Sequence, residues 1–156
     1  MERAKEFLTV NDGASEPVPP HPVGIDGILS LDIALKGIRV DRVEPGLVVC
    51  SFKVPPRLAD RAGNFATGAI SNLVDEVGGA VVHGGGLPRT DVSVDMSISL
   101  LSTAKPNDEL EITASLLGVR GGYSGALVLI RNKATGEAVA EGRHSLFSKY
   151  KYMSKL

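Results

Sequence analysis

Two periodicities divide the chain. Ile70, Leu73, Val74, Val77 and Val81 recur at i, i+3, i+4, i+7 and i+11, a single apolar stripe. That spacing predicts one long helix over about Thr67 to His83. Gly84-Gly85-Gly86 is expected to stop it with a left-handed glycine, and His83 is favoured in the last turn by the helix dipole. Downstream, Val92, Val94, Met96, Ile98 and Leu100 alternate with Ser93, Asp95, Ser97 and Ser99, which predicts a strand with one buried face. Leu110, Ile112, Ala114 and Leu116 alternate with Glu111, Thr113 and Ser115 in the same way. Tyr123 to Ile130 is more uniformly apolar and is expected to be a central strand. Lys133-Ala134-Thr135-Gly136 reads as a turn, and Ala138 to Phe147 as the last strand.

Upstream of the helix, Gly37 to Glu44 and Gly46 to Val54 read as two strands joined at Glu44-Pro45-Gly46, because Pro-Gly is a strong turn signal. Val54-Pro55-Pro56 ends the second strand, and a loop with Asp60 and Gly63-Asn64 leads to the helix. Residues 11 to 24 carry Gly13, Pro17, Pro19, Pro20, Pro22 and Gly24 and read as a loop or arm. Arg3 to Val10 has room for one or two helical turns, and Ile28 to Leu35 for a short helix ending near Gly37. The order is two strands, one long helix, then four strands read as a meander. It predicts an α+β unit whose antiparallel sheet wraps its apolar face around the helix. The expected organisation is an N-terminal arm over 1–24, one domain over 25–148 and a basic tail over 149–156.

Composition narrows the function classes. The 156 residues are 43% apolar and 22% charged, which suits one domain with a real core. A net charge of −1 gives no electrostatic footprint for nucleic acid. The longest apolar run, Ala69 to Val82, is interrupted by Asp75 and Glu76, so no membrane span is expected. Cys50 is the one cysteine, so no internal disulfide can form, and its place in the apolar run Leu47 to Phe52 reads as a buried small hydrophobe. His21, His83 and His144 have no metal-ligand spacing, and a zinc site is not expected. The charged start (Glu2, Arg3, Lys5, Glu6) does not read as a secretory signal. Ser154-Lys155-Leu156 matches the address read by the peroxisomal import receptor. The basic segment Lys149 to Met153 leaves it free to be read, so a peroxisomal location is expected.

The helix face opposite the stripe is unusual. At 100° per residue, Gly68, Ser71, Asn72, Asp75 and Gly79 fall there, small residues around one acid. Glycine within a helix costs about 1 kcal/mol relative to alanine, so a close approach by other atoms should offset it. Two readings fit: a helix packed against a symmetry mate with Asp75 as a solvated rim charge, or a ligand site with Asp75 at its centre.

Thr67 to Asp75 followed by Val92-Ser93-Val94-Asp95-Met96 resembles the small hotdog-fold acyl-CoA thioesterases of the phenylacetate-degradation and 4-hydroxybenzoyl-CoA type. Lys133-Ala134-Thr135-Gly136 and Glu141-Gly142-Arg143-His144 add to the match, which covers about Gly37 to Ser148. With the terminal tripeptide, the chain is similar to peroxisomal plant members. Some of those act on 1,4-dihydroxy-2-naphthoyl-CoA, so the resemblance admits an aromatic acyl group. It implies a hotdog fold and hydrolysis of acyl-CoA to free acid and CoA, with no metal or redox cofactor. Asp75 would be general base or nucleophile. The N–H of Thr67, beside Gly68 at the helix start, would hold the thioester oxyanion, and a helix N-terminus supplies such donors whatever the side chain. Ser93 would position water. In the family the acid and the serine come from different subunits, so at least a homodimer is expected, and pairs of dimers often form tetramers.

Two positions depart from the family pattern. The signature His is Ala66, and the family Asn aligns with Asp60, which cannot donate a hydrogen bond unless protonated. Asn64 lies nearby as a possible substitute. His83-Gly84-Gly85 spells the signature at the wrong end of the helix and reads as a helix stop. Lys105, Arg120 and Arg143 are candidates to meet the CoA phosphates, or plain solvated charges; Arg89 is undecided in the same way. A non-catalytic acyl-CoA carrier is the alternative if the departures abolish chemistry. A hotdog dehydratase or isomerase would pair a His with an acid across the dimer, and no His stands at the helix start.

Overall fold

The computed structural model describes residues 35–84 and 91–148. Its helix, α1, runs from Thr67 to His83, the span marked by the apolar stripe. Ala66 leads in with an extended backbone and no side-chain cap. Its N–H is tied to the carbonyl of Leu58 at 2.9 Å. At the other end the expected left-handed glycine is not at Gly84, which is right-handed at φ −58°. Its N–H bonds the carbonyl of Ala80 at 2.8 Å, so helical pairing runs one residue past His83. Gly85, Gly86 and Arg89 lie outside the described residues, as do the expected elements before Leu35, the arm, and the tail with Ser154, Lys155 and Leu156.

The strands are β1 (Ile38–Glu44), β2 (Leu47–Lys53), β3 (Asp91–Leu100), β4 (Glu109–Arg120), β5 (Tyr123–Asn132) and β6 (Ala138–Ser148). They form one six-stranded sheet in the order β1-β2-β4-β5-β6-β3. Every neighbouring pair is antiparallel. β4 and β5 turn at Gly121-Gly122, with φ of 60° and 94°, the positive values that a two-residue hairpin of this type requires. β5 lies well inside the sheet, as its apolar run implied. The expected four-strand meander is corrected. Only β4, β5 and β6 follow one another; among the described residues β3 pairs with β6 alone and is an edge strand. Residues 101–108 carry the chain back past two strands to β4, and this long connection leaves no local signature.

The sheet closes over α1 chiefly through β4, β5 and β6. Phe52, Leu73, Leu110, Ile112 and Ile130 are fully buried between the layers. Two glycines set the spacing. A Cβ on Gly142 of β6 would collide with the methyls of Val74 on α1. A Cβ on Gly78 of α1 would meet the side chains of His144 and Val128. Residues Val77 to Val82 are all buried, so the polar helix face of the sequence exists only in the first half of α1. Gly79, placed on that face by the 100° rule, is buried. Cys50 faces the core, and burial, aided by Asp41, pushes its thiol up to about 12. It remains a thiol at physiological pH, the inert reading of a buried cysteine.

β3 departs from its expected form in two ways. Its apolar residues are uncovered: Val92 is 60% and Leu100 50% exposed, because α1 leans on the strands beyond it. Its alternation is also broken. Ser93 pairs with Leu146 but Asp95 pairs with Ser145, so Val94 is an extra residue in a β-bulge. Leu146 and His144 are buried on the helix side of β6. Ser93, opposite Leu146, and Met96, opposite His144, therefore share the inward face of β3. Strict period two would have placed them on opposite faces.

Candidate active site

Three side chains from three elements meet beside α1. The hydroxyl of Ser93 donates to Oδ1 of Asp75 at 2.8 Å. Nε2 of His144 lies 2.9 Å from Oγ of Ser93 and 3.2 Å from Oδ1 of Asp75. Asp75 stands at the end of the polar half of α1. Ser93 is turned inward by the bulge. His144 belongs to the inward phase of β6, with Ala140, Gly142 and Leu146.

The donors and acceptors fix the order of the chain of bonds. A carboxylate only accepts, so the Ser93 proton is committed to Asp75. Oγ of Ser93 must then accept from His144, which assigns the imidazole proton to Nε2. Nδ1 is left as a bare acceptor, buried and without a hydrogen-bond partner, against α1 at Gly78. This order runs His to Ser to Asp. In a nucleophilic serine triad the serine donates to the imidazole, so Ser93 is not built as a nucleophile. The side chain of His144 is 0% exposed while that of Asp75 is 40% exposed. Asp75 is thus the group open to a ligand, and His144 cannot reach one. That excludes His144 as the acid or base of a dehydratase. Burial lowers the His144 pKa below the ordinary histidine value, with Asp75 partly opposing the shift.

The other expected site residues fall into two places. Thr67 and Gly68 are exposed at the start of α1. Asn64 and Lys105 are together beside the segment entering the helix: Nζ of Lys105 donates to Oδ1 of Asn64 at 2.5 Å. Asp60 helps to close the loop before α1. Its Oδ1 accepts the N–H groups of Ala62 at 2.8 Å and Asn64 at 2.9 Å. Arg143 is on the sheet face away from α1, since its neighbours Gly142 and His144 point inward, and it reaches Glu141 at 3.7 Å. Arg120 is exposed at the β4–β5 turn opposite Tyr123. Neither joins the cluster. Within one chain the bulge already brings Ser93 to Asp75. His144 was missed as a site residue. Its signal was a histidine in the apolar phase of an alternating strand, which demands a buried partner.

No family model matches the chain. Over 114 residues it is 31% identical to acyl-coenzyme A thioesterase 13 of Mus musculus, covering 73% of this chain and 81% of that protein. The chain belongs to the hotdog-fold acyl-CoA thioesterase family. Thioester hydrolysis is the activity this membership gives it. The structure of zebrafish thioesterase superfamily member 2 superposes with a TM-score of 0.72 at 31% identity, over 80% of this chain and 88% of that one. A hypothetical thioesterase from Streptococcus pneumoniae, solved with coenzyme A, gives a TM-score of 0.69 at 26% identity, over 74% of this chain and 88% of that one. The carboxylate of Asp75, 40% exposed, is thus held by an exposed serine and a buried histidine.

The buried imidazole makes stability pH-dependent. An unfolded histidine takes a proton near 6.5, whereas folded His144 takes one only at lower pH. As pH falls through 6.5 the unfolded state therefore binds the proton first, and stability declines until the folded pKa is passed. Thermal unfolding between pH 7.5 and 5 should show a steeper loss for wild type than for His144→Gln. Equal slopes would contradict a neutral buried His144.

Proposed function

We propose that the protein hydrolyses acyl-CoA by attack of water, with Asp75 as general base. The observation that carries this reading is the occupancy of the carboxylate. Ser93 and His144 both engage Oδ1, which leaves Oδ2 to accept a proton from water. Water held there loses its proton to Asp75 as its oxygen bonds to the thioester carbon. The carbonyl electron pair moves onto oxygen, giving a tetrahedral oxyanion. The N–H of Thr67 and the positive end of the helix dipole stabilise that charge. Collapse re-forms the carbonyl and expels CoA as thiolate, and the proton on Asp75 passes to sulfur or solvent.

One chain does not complete this site. Thr67 and Asp75 are eight residues apart on α1, about 12 Å along the axis at about 1.5 Å per residue. The carbon that water attacks and the oxygen that becomes the oxyanion are only about 1.2 Å apart. Even with a water between base and carbon, the two hydrogen bonds, the attack distance and the carbonyl span only about 10 Å end to end in a straight line. The oxyanion donor is therefore Thr67 of a second copy, while Asp75, Ser93 and His144 act together from the first. The uncovered edge strand supports such a pairing. Among the described residues, β3 has no partner on its outer edge, and Val92, Val94, Met96 and Leu100 are exposed there, a surface that a second β3 would cover. Sedimentation at micromolar concentration should give a dimer or a multiple of it. A monomer would sink the shared site.

The chemistry is tested by free-thiol release from a panel of aliphatic and aromatic acyl-CoAs. Asp75→Ala is expected to lose on the order of a thousandfold in kcat, the scale of a lost general base. Loss of that size with CoA-ester binding retained supports the reading. Wild type that binds acyl-CoA and turns over none of the panel would make the protein a carrier, with Ala66 and Asp60 as the reason.

A further inference from the structure

We propose that Gly78 is a positioning residue for this reaction: its missing side chain is the seat of the His144 imidazole, which through Ser93 sets the bond to Asp75. The inference rests on the thioesterase reading above. A Cβ on Gly78 would stand 2.9 Å from Nδ1 of His144, 3.4 Å from its Cβ and 3.3 Å from Cγ2 of Val128. The first distance is shorter than real contacts allow, so the ring would have to move. The imidazole is rigid, and a shift at Nδ1 is a shift at Nε2, whose bond to Ser93 is 2.9 Å long. Ser93 would then lose its donor, and its hydroxyl would be free to turn away from Asp75.

The adjacent glycine gives an internal comparison. Gly79 is also buried in α1, yet nothing lies within 4 Å of where its Cβ would be. Both residues carry the same backbone cost in a helix, and of the two only Gly78 touches the cluster. Across the sheet Ala126 of β5 and Met96 of β3 pair with His144, and Ser93 of β3 bonds its Nε2. Among the described residues, Asp75 on α1 is the ionisable group that faces the ring.

The test is a double-mutant cycle on the whole protein, using the acyl-CoA that wild type turns over fastest. Gly78→Ala should lower kcat at least tenfold with KM within threefold. In the His144→Ala background, where the displaced ring is gone, Gly78→Ala should change kcat less than threefold. His144 should also titrate closer to an ordinary histidine by NMR in Gly78→Ala; its signal is the one that His144→Ala removes. If Gly78→Ala fails to fold, the same measurements are made on Gly78→Ala with Val128→Ala, which relieves the other close contact and leaves the one to His144. Losses that add in the cycle, or a His144 titration unchanged in Gly78→Ala, would show that Gly78 serves packing alone. A wild type without turnover would overturn the thioesterase reading, and the titration would still decide whether Gly78 seats the ring.

Discussion

Everything at the site depends on one residue too many in β3. The bulge at Val94 lets Ser93 face α1 while Met96, three residues on, does the same. Without it the Ser93 hydroxyl would point to the far side of the sheet, Asp75 would lose the donor at 2.8 Å, and His144 would have no acceptor but the carboxylate. The cost is an edge strand that cannot keep its apolar residues on one covered face. The same feature that aims the serine turns Val92 to the face away from α1, so site geometry and part of the exposed apolar surface come from one irregularity.

The close fit of α1 on β6 is the second constraint. Gly142 admits Val74 and Gly78 admits His144, and each glycine removes a side chain that would hold the layers apart. A buried histidine is costly unless its ring nitrogens find partners. Here Nε2 has two, and Nδ1 is left as a lone pair rather than an unpaired donor, the lesser penalty. The neutral state that burial enforces is also the state that donates from Nε2 to Ser93. Packing and protonation therefore support the same chain of bonds.

The helix and the strands were legible because their periodicities are strong. Ile70 to Val81 marks α1, and the alternation over Leu110 to Leu116 marks the buried face of β4. Asp75 and Ser93 were legible as a constellation through family resemblance. What was hidden is non-local. The strand order depends on where residues 101–108 carry the chain, and no local pattern records that β3 lies beside β6. The bulge was masked by the clean alternation of Val92 to Leu100, which predicts a regular strand and reverses the true side of Ser93. The loop-closing part of Asp60 was also hidden, because alignment places a residue without stating what its oxygens bond. One of its oxygens, Oδ1, accepts two backbone N–H groups of its own loop.

The central claim is that Asp75 activates water and does not attack the thioester itself. A single turnover with excess enzyme in 18O-labelled water, followed by mass spectrometry of the product acid and of the peptide carrying Asp75, tests it most directly. The account predicts one 18O atom in the free acid and none in the peptide. Label in Asp75 with an unlabelled acid would contradict it and make the carboxylate the nucleophile.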